Sequence, residues 1–188
     1  MRTMCVPAIL TRLMNRLIIL IMLLLSAGSL PAESVYQSPE SFLDEVFQGN
    51  VPESRVIWLK GGVRETSTDI MGHRYPGIRV RYWLKDGRSA WILEEIGKER
   101  PITTGFVVNA QGIEQVRVLV FRESRGWEVK HPFFTDQFPG LGLTSDRQLD
   151  GQVDGVSGAT LSVRALKKLA RLALYFHEQV VTDNDTNP

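Results

Sequence analysis

Ile78-Arg79-Val80-Arg81-Tyr82-Trp83-Leu84-Lys85-Asp86-Gly87-Arg88-Ser89 is the stretch that decides the fold class. Ile78, Val80, Tyr82 and Leu84 alternate with Arg79, Arg81 and Trp83, the period of two expected of a strand with one buried face. Asp86-Gly87 supplies the residue pair that a tight hairpin turn requires, so residues 89–96 should return antiparallel. Further on, residues 106–108, the turn Asn109-Ala110-Gln111-Gly112 and the run 113–121 form a second hairpin. The middle of the chain therefore reads as an antiparallel meander.

Working outward, the clearest helix lies near the C-terminus. At 100° per residue, Leu166, Leu169, Ala173, Phe176 and Val180 share one face, while Arg164, Lys167, Lys168 and Arg171 gather on the other. The apolar face is suited to packing on the sheet, and the basic face reads most simply as a solvated helix surface. Towards the N-terminus, Ser38-Pro39 gives a capping residue followed by proline in the first turn. Gly49 closes the run holding Phe42, Leu43, Val46 and Phe47, so the pattern predicts a helix over 39–48. Residues 56–59 form a candidate strand, and 60–76 lack a decisive period and read as a loop with at most one helical turn. The expected class is α+β: an antiparallel β-meander packed against a C-terminal amphipathic helix, with a short N-terminal helix.

At the N-terminus, Arg2, Arg12 and Arg16 precede the unbroken apolar run 17–25 and the small-residue stretch Ser26-Ala27-Gly28-Ser29-Leu30-Pro31-Ala32. That is the layout of a secretory signal, and the run is shorter than the roughly 20 apolar residues a bilayer span needs. Residues 1–32 are thus read as a signal peptide, with an uncleaved membrane anchor as the alternative. The expected location is periplasmic or otherwise extracytoplasmic. The divisions beyond it are an N-terminal helix, strand and loop over 33–76, a core domain over 77–181, and a polar tail over 182–188.

Removing residues 1–32 from 188 leaves 156, enough for one hydrophobic core and short for two domains. It also removes three arginines and no acid, taking the formal charge from +1 to −2, which gives no reason to expect nucleic acid as a partner. Cys5, the single cysteine, lies in the removed segment. Disulfides and thiolate metal sites are therefore excluded from the mature chain, and three histidines make a poor basis for a metal cluster.

The chemistry concentrates at the junction before the long helix, in Asp154-Gly155-Val156-Ser157-Gly158-Ala159-Thr160-Leu161-Ser162. Small residues flank the Thr160 hydroxyl, and a helix beginning here would turn free N–H groups and its positive dipole end towards an attached anion. Thr160 also falls on the side of Arg164, Lys167 and Lys168. An ordinary helix cap would look much the same.

These residues strongly resemble the flavinylation motif of the FMN-binding domain family, whose members include the C subunit of the sodium-translocating NADH:quinone reductase and the G subunit of the Rnf complex. The resemblance extends over residues 78–174. It implies that Thr160 receives FMN through a phosphoester bond, and that Asp154, Ser157, Gly158, Ala159, Leu161 and Ser162 form the sequence read by a separate flavin transferase, with FAD and magnesium as its requirements. Val163 departs from the small or hydroxyl residue common there. A second family segment, Glu-Thr-Pro-Gly-Leu-Gly, matches Glu123-Ser124-Arg125-Gly126 in order and spacing and Pro139-Gly140-Leu141-Gly142 in letters. The first is preferred, making Glu123 and Ser124 flavin neighbours; as plain sequence both read as turns. Among Trp83, Trp91, Trp127, Phe133 and Phe134, one or two at most are expected to touch flavin, the others being core.

The resemblance implies an exported electron carrier served by unidentified redox partners, with the membrane as one place to find them. Alternatives are a module that holds flavin or another ligand noncovalently, and a flavin-dependent reductase of a small substrate. Two further chemistries fail in context. Gly155-Val156-Ser157-Gly158-Ala159 is one residue short of a nucleophile elbow, but only His177 follows and the sheet is antiparallel. A P-loop reading is weaker still, since no Gly-Lys-Ser/Thr follows the glycines.

Overall fold

The computed structural model describes residues 33–186, so the expected signal or anchor over 1–32 lies outside the described residues. The sheet is built from β1 (Ser34–Val35), β2 (Ser54–Trp58), β3 (Arg79–Lys85), β4 (Arg88–Ile96), β5 (Pro101–Asn109) and β6 (Gly112–Phe121). Its spatial order is β1-β6-β5-β4-β3-β2, with every pairing antiparallel. It is thus the expected meander, extended at one edge by the short N-terminal strand β1. Asp86 and Gly87 both take positive φ, at 52° and 72°, as the tight turn between β3 and β4 demands.

The helices are α1 (Pro39–Phe47), α2 (Gly61–Met71), α3 (Pro132–Thr135) and α4 (Thr160–Thr186). Alternation along the strands separates two cores. Phe42, Leu43, Val46 and Phe47 of α1 pack on Ala90, Val107, Leu119 and Val120, while Leu166, Leu169, Ala173 and Phe176 of α4 pack on the opposite face with Trp91, Phe106 and Val108. The Ser38 hydroxyl caps α1 by accepting from the Ser41 N–H at 3.1 Å. Gly105 lets the Phe42 ring lie against β5, since a Cβ there would come within 2.6 Å of it. Burying a ring of this size is worth about 1.5–3 kcal/mol, so this contact is a main fixing of α1 to the sheet.

One expectation is corrected. Residues 60–76 are not a loop with a single turn, because α2 occupies 61–71. Its sequence, Gly-Gly-Val-Arg-Glu-Thr-Ser-Thr-Asp-Ile-Met, has weak helix propensity. Tertiary anchors hold it: Ile70 and Met71 enter the α4 core, and the Arg64 guanidinium donates to the carbonyls of Leu59, Tyr75 and Gly77. α4 runs on to Thr186. No helix of the described residues is long and apolar enough to cross a membrane.

Candidate functional site

α4 begins at Thr160, immediately after the small-residue loop. Gly158 adopts φ +81° with open space around its Cα, which turns the chain sharply into the helix. The Ala159 N–H closes this turn on the Val156 carbonyl at 3.0 Å, and the Ala159 carbonyl accepts the first helical bond from the Val163 N–H at 2.9 Å. Ala159 therefore stands where helices usually place Ser, Thr, Asp or Asn. Among the described residues no side chain accepts from the N–H groups of Thr160, Leu161 or Ser162, so the start of α4 keeps free donors and a positive dipole end.

Burial distinguishes the three hydroxyls here. Thr160 and Ser157 are exposed, whereas Ser162 is buried, with its Oγ 2.6 Å from where a Cβ on Gly126 would lie. Asp154, Gly158 and Leu161 are exposed and Ala159 is buried. The loop is held in place by the Asp154 N–H donating to Gln137 Oε1 at 2.7 Å and by Lys167 Nζ donating to the Val153 carbonyl at 3.3 Å.

Thr160 opens onto a cavity of about 450 Å³. One wall is the basic face of α4, formed by Arg164, Lys167, Lys168 and Arg171, and the other carries Gln148, Leu149 and Gly151. The second wall is a small hairpin, bridged between Leu143 and Leu149. Arg171 Nε donates to the Arg147 carbonyl at 2.6 Å, and the Arg147 guanidinium lies 4.5 Å from the centre of the Tyr175 ring. Lys168 Nζ is 3.6 Å from the buried Glu95 carboxylate, which also accepts from His73 Nε2 at 2.9 Å. The basic face is therefore a cavity wall, where the simplest sequence reading made it solvated surface. Four cations beside an exposed hydroxyl and uncapped N–H groups suit an attached phosphate monoester or diester and an electron-rich ring.

The segment 123–126 sits on the other side of the helix start. Gly126, at φ +85°, packs against Ala159 and Ser162. Glu123 reaches away from this contact: its Oε1 accepts from the N–H groups of Lys98, Glu99 (2.6 Å) and Arg100 (2.9 Å), tying down the turn between β4 and β5. Desolvation pushes its carboxyl up, but those three donors and the Lys98 charge outweigh it and hold the group below its ordinary value. Ser124 is exposed. Pro139-Gly140-Leu141-Gly142 lies on the cavity side, where Leu141 packs against Gly151 and Gly142 N–H donates to Asp150 at 2.8 Å. Of the candidate ring partners, Trp91 and Phe134 are fully buried and Trp83 packs beside α1. Trp127 and Phe133 remain exposed, at 46% and 61%.

Residues 97–175 match the family model of the FMN-binding domain. That stretch is thus similar to an FMN-binding domain, which suggests a flavoprotein, and the match ends within α4 after taking in the whole Thr160 loop. Neither a search of curated proteins nor one of solved structures returned a match. The hairpin wall at Gln148, Leu149 and Gly151 went unread in the sequence because no local pattern marks it: the pairing that forms it is a single bridge closed by α4 contacts.

Proposed function

We propose that the protein is an extracytoplasmic electron carrier holding FMN covalently on Thr160. The observation that carries this reading is the exposed Thr160 hydroxyl at an uncapped helix start, opening onto a four-cation cavity within an FMN-binding domain. A flavin transferase would supply the group: Thr160 Oγ1 bonds to the FMN-side phosphorus of FAD, the bond to the AMP phosphate breaks, AMP leaves, and the hydroxyl proton passes to the transferase or solvent. Ser162 is a poor competitor because Gly126 covers its oxygen.

FMN when bound supplies reversible acceptance of one or two electrons. The chain's part is to hold and tune it. Arg164, one turn beyond Thr160 on the same face, and the N–H groups of residues 160–162 are placed to neutralise a phosphodiester. Lys167, Lys168 and Arg171 add positive potential along the cavity, which favours negative charge there. Substrate conversion by the domain alone is not part of the proposal, because the cavity lining offers no carboxylate, histidine or thiol as a general acid or base.

The test is to express the chain with a flavin transferase, denature it, and look for flavin fluorescence travelling with the polypeptide. Wild type and Thr160→Ser should retain it, the latter less completely, and Thr160→Ala should lose it. Flavin released from wild type on denaturation would support noncovalent binding instead; retention in Thr160→Ala would move the attachment elsewhere.

A further inference from the structure

Glu95, on β4, is only 8% exposed, where a carboxylate is costly unless cations or hydrogen-bond donors meet it. Two side chains do so, from two different elements. Nε2 of His73, just past the end of α2, lies 2.9 and 3.0 Å from the two carboxylate oxygens. Nζ of Lys168, on α4, lies 3.6 Å from Oε1. Lys168 also sits against the end of α2, since a Cβ on Gly72, the residue that caps this helix, would stand 3.9 Å from Nζ. The Gly72 N–H closes α2 on the Thr68 carbonyl at 2.8 Å, and the last turn of a helix is its negative dipole end. The Lys168 ammonium is therefore held between a carboxylate and a helix C-terminus, neither of which lines the Thr160 cavity. Of the four cations that do line it, Lys168 is the one paired with a carboxylate among the described residues.

We propose that Glu95 is a positioning residue for the flavin: through Lys168 it fixes one cation in the cavity wall, offsets that cation's charge, and so sets how strongly the cavity favours reduced flavin. The inference rests on flavin occupying the Thr160 cavity, and not on the bond that ties it there. Lys168 is eight residues beyond Thr160, about 12 Å along the helix axis, so it acts on the cavity away from the attachment point. Reduction adds negative charge to the flavin, which a nearby ammonium favours and a carboxylate behind that ammonium opposes. Removing the Glu95 charge therefore strengthens the field of Lys168. Removing Lys168 takes away the group through which Glu95 acts. On this reading α2 has a part in the chemistry, because its end brings both His73 and its own dipole to the Glu95–Lys168 pair.

The experiment has a flavin-free arm and a loaded arm, both on the full chain. Glu95→Gln keeps an acceptor of the same shape and removes the charge, and a urea transition for each variant establishes that it folds. In the flavin-free chain, acetic anhydride should modify Lys168, relative to Lys167, severalfold faster in Glu95→Gln than in wild type. Glu95→Asp, which withdraws the carboxylate from Nζ without removing it, should give a smaller rise and serves where the glutamine variant does not fold. In chain matured beside a flavin transferase, titration against a reference dye should show the Glu95→Gln equilibrium moved about tenfold towards reduced flavin, roughly 30 mV for a two-electron couple. Lys168→Met should move it the other way, and the double variant should follow Lys168→Met. Unchanged labelling of Lys168, or a potential that Glu95→Gln leaves in place or shifts equally with and without Lys168, overturns the proposal. Flavin released on denaturation from a chain that still shows these shifts fails only the covalent linkage to Thr160.

Discussion

Substituting three glycines around the Thr160 loop by alanine separates space from backbone strain. Gly155 takes no positive φ and has nothing within 4 Å of an added Cβ, so Gly155→Ala should lie within about 0.5 kcal/mol of wild type, or gain slightly from a less flexible unfolded chain. Gly158 has the same open space but φ +81°, so alanine meets only the left-handed penalty of about 1–2 kcal/mol. Gly126 combines φ +85° with a Cβ position 2.6 Å from Ser162 Oγ and 3.4 Å from Ala159. Alanine there adds an overpacking cost of about 1–3 kcal/mol, for a total of roughly 2–5 kcal/mol. Urea unfolding of the three variants measures this directly, and flavin incorporation should fall most in Gly126→Ala because the start of α4 must shift. A Gly126→Ala chain as stable as Gly155→Ala would refute the packing of segment 123–126 against the helix start.

Other outcomes follow from single residues. Thr104 is fully buried on β5 with its hydroxyl unpartnered, so Thr104→Val should stabilise the fold by about 1 kcal/mol in urea; destabilisation would mean the hydroxyl has a partner. His177 is buried, accepting at Nδ1 from the Ser89 hydroxyl at 2.7 Å, and desolvation lowers its pKa. Its neutral form therefore stabilises the fold above an unfolded pKa of about 6.5, and this contribution declines as pH falls below that value. Between pH 7 and 5 the urea midpoint should drop, less steeply in His177→Gln; equal slopes would contradict the shift. Glu123 is also depressed, so its contribution should persist above about pH 4.3 and fade below, and Glu123→Gln should flatten the acid limb of the stability curve. Arg164→Gln, at an exposed position, should leave stability within about 0.5 kcal/mol yet slow flavin incorporation in a timed transferase assay; unchanged kinetics would remove Arg164 from the phosphate's surroundings.

The parts of the fold that local pattern specifies were legible. Alternation and the Asp86-Gly87 turn gave the β3–β4 hairpin, and Ser38-Pro39 with four apolar residues gave α1. The 100° spacing of Leu166, Leu169, Ala173, Phe176 and Val180 gave the buried face of α4. What depends on long-range contact was not legible. α2 is held through Arg64 and the α4 core rather than by propensity, and β1 is two residues recognised only by pairing with Phe121 and Val120. At the site, the sequence singled out Thr160, but the cavity needed coordinates: four cations on a helix face look the same whether they meet water or a hairpin 20 residues upstream. Glu123 was read as a flavin neighbour from its place in the family segment, and its bonds to three backbone N–H groups could not be foreseen from letters.

The central claim is tested most directly by mapping chain matured beside a flavin transferase. Trypsin should release residues 148–164 as one peptide, since no lysine or arginine lies between Arg147 and Arg164. That peptide should be heavier by one FMN less a water, with fragmentation assigning the addition to Thr160 and not to Ser157 or Ser162. Recovery of the peptide wholly unmodified, from material in which a known acceptor protein was flavinylated alongside, would contradict it.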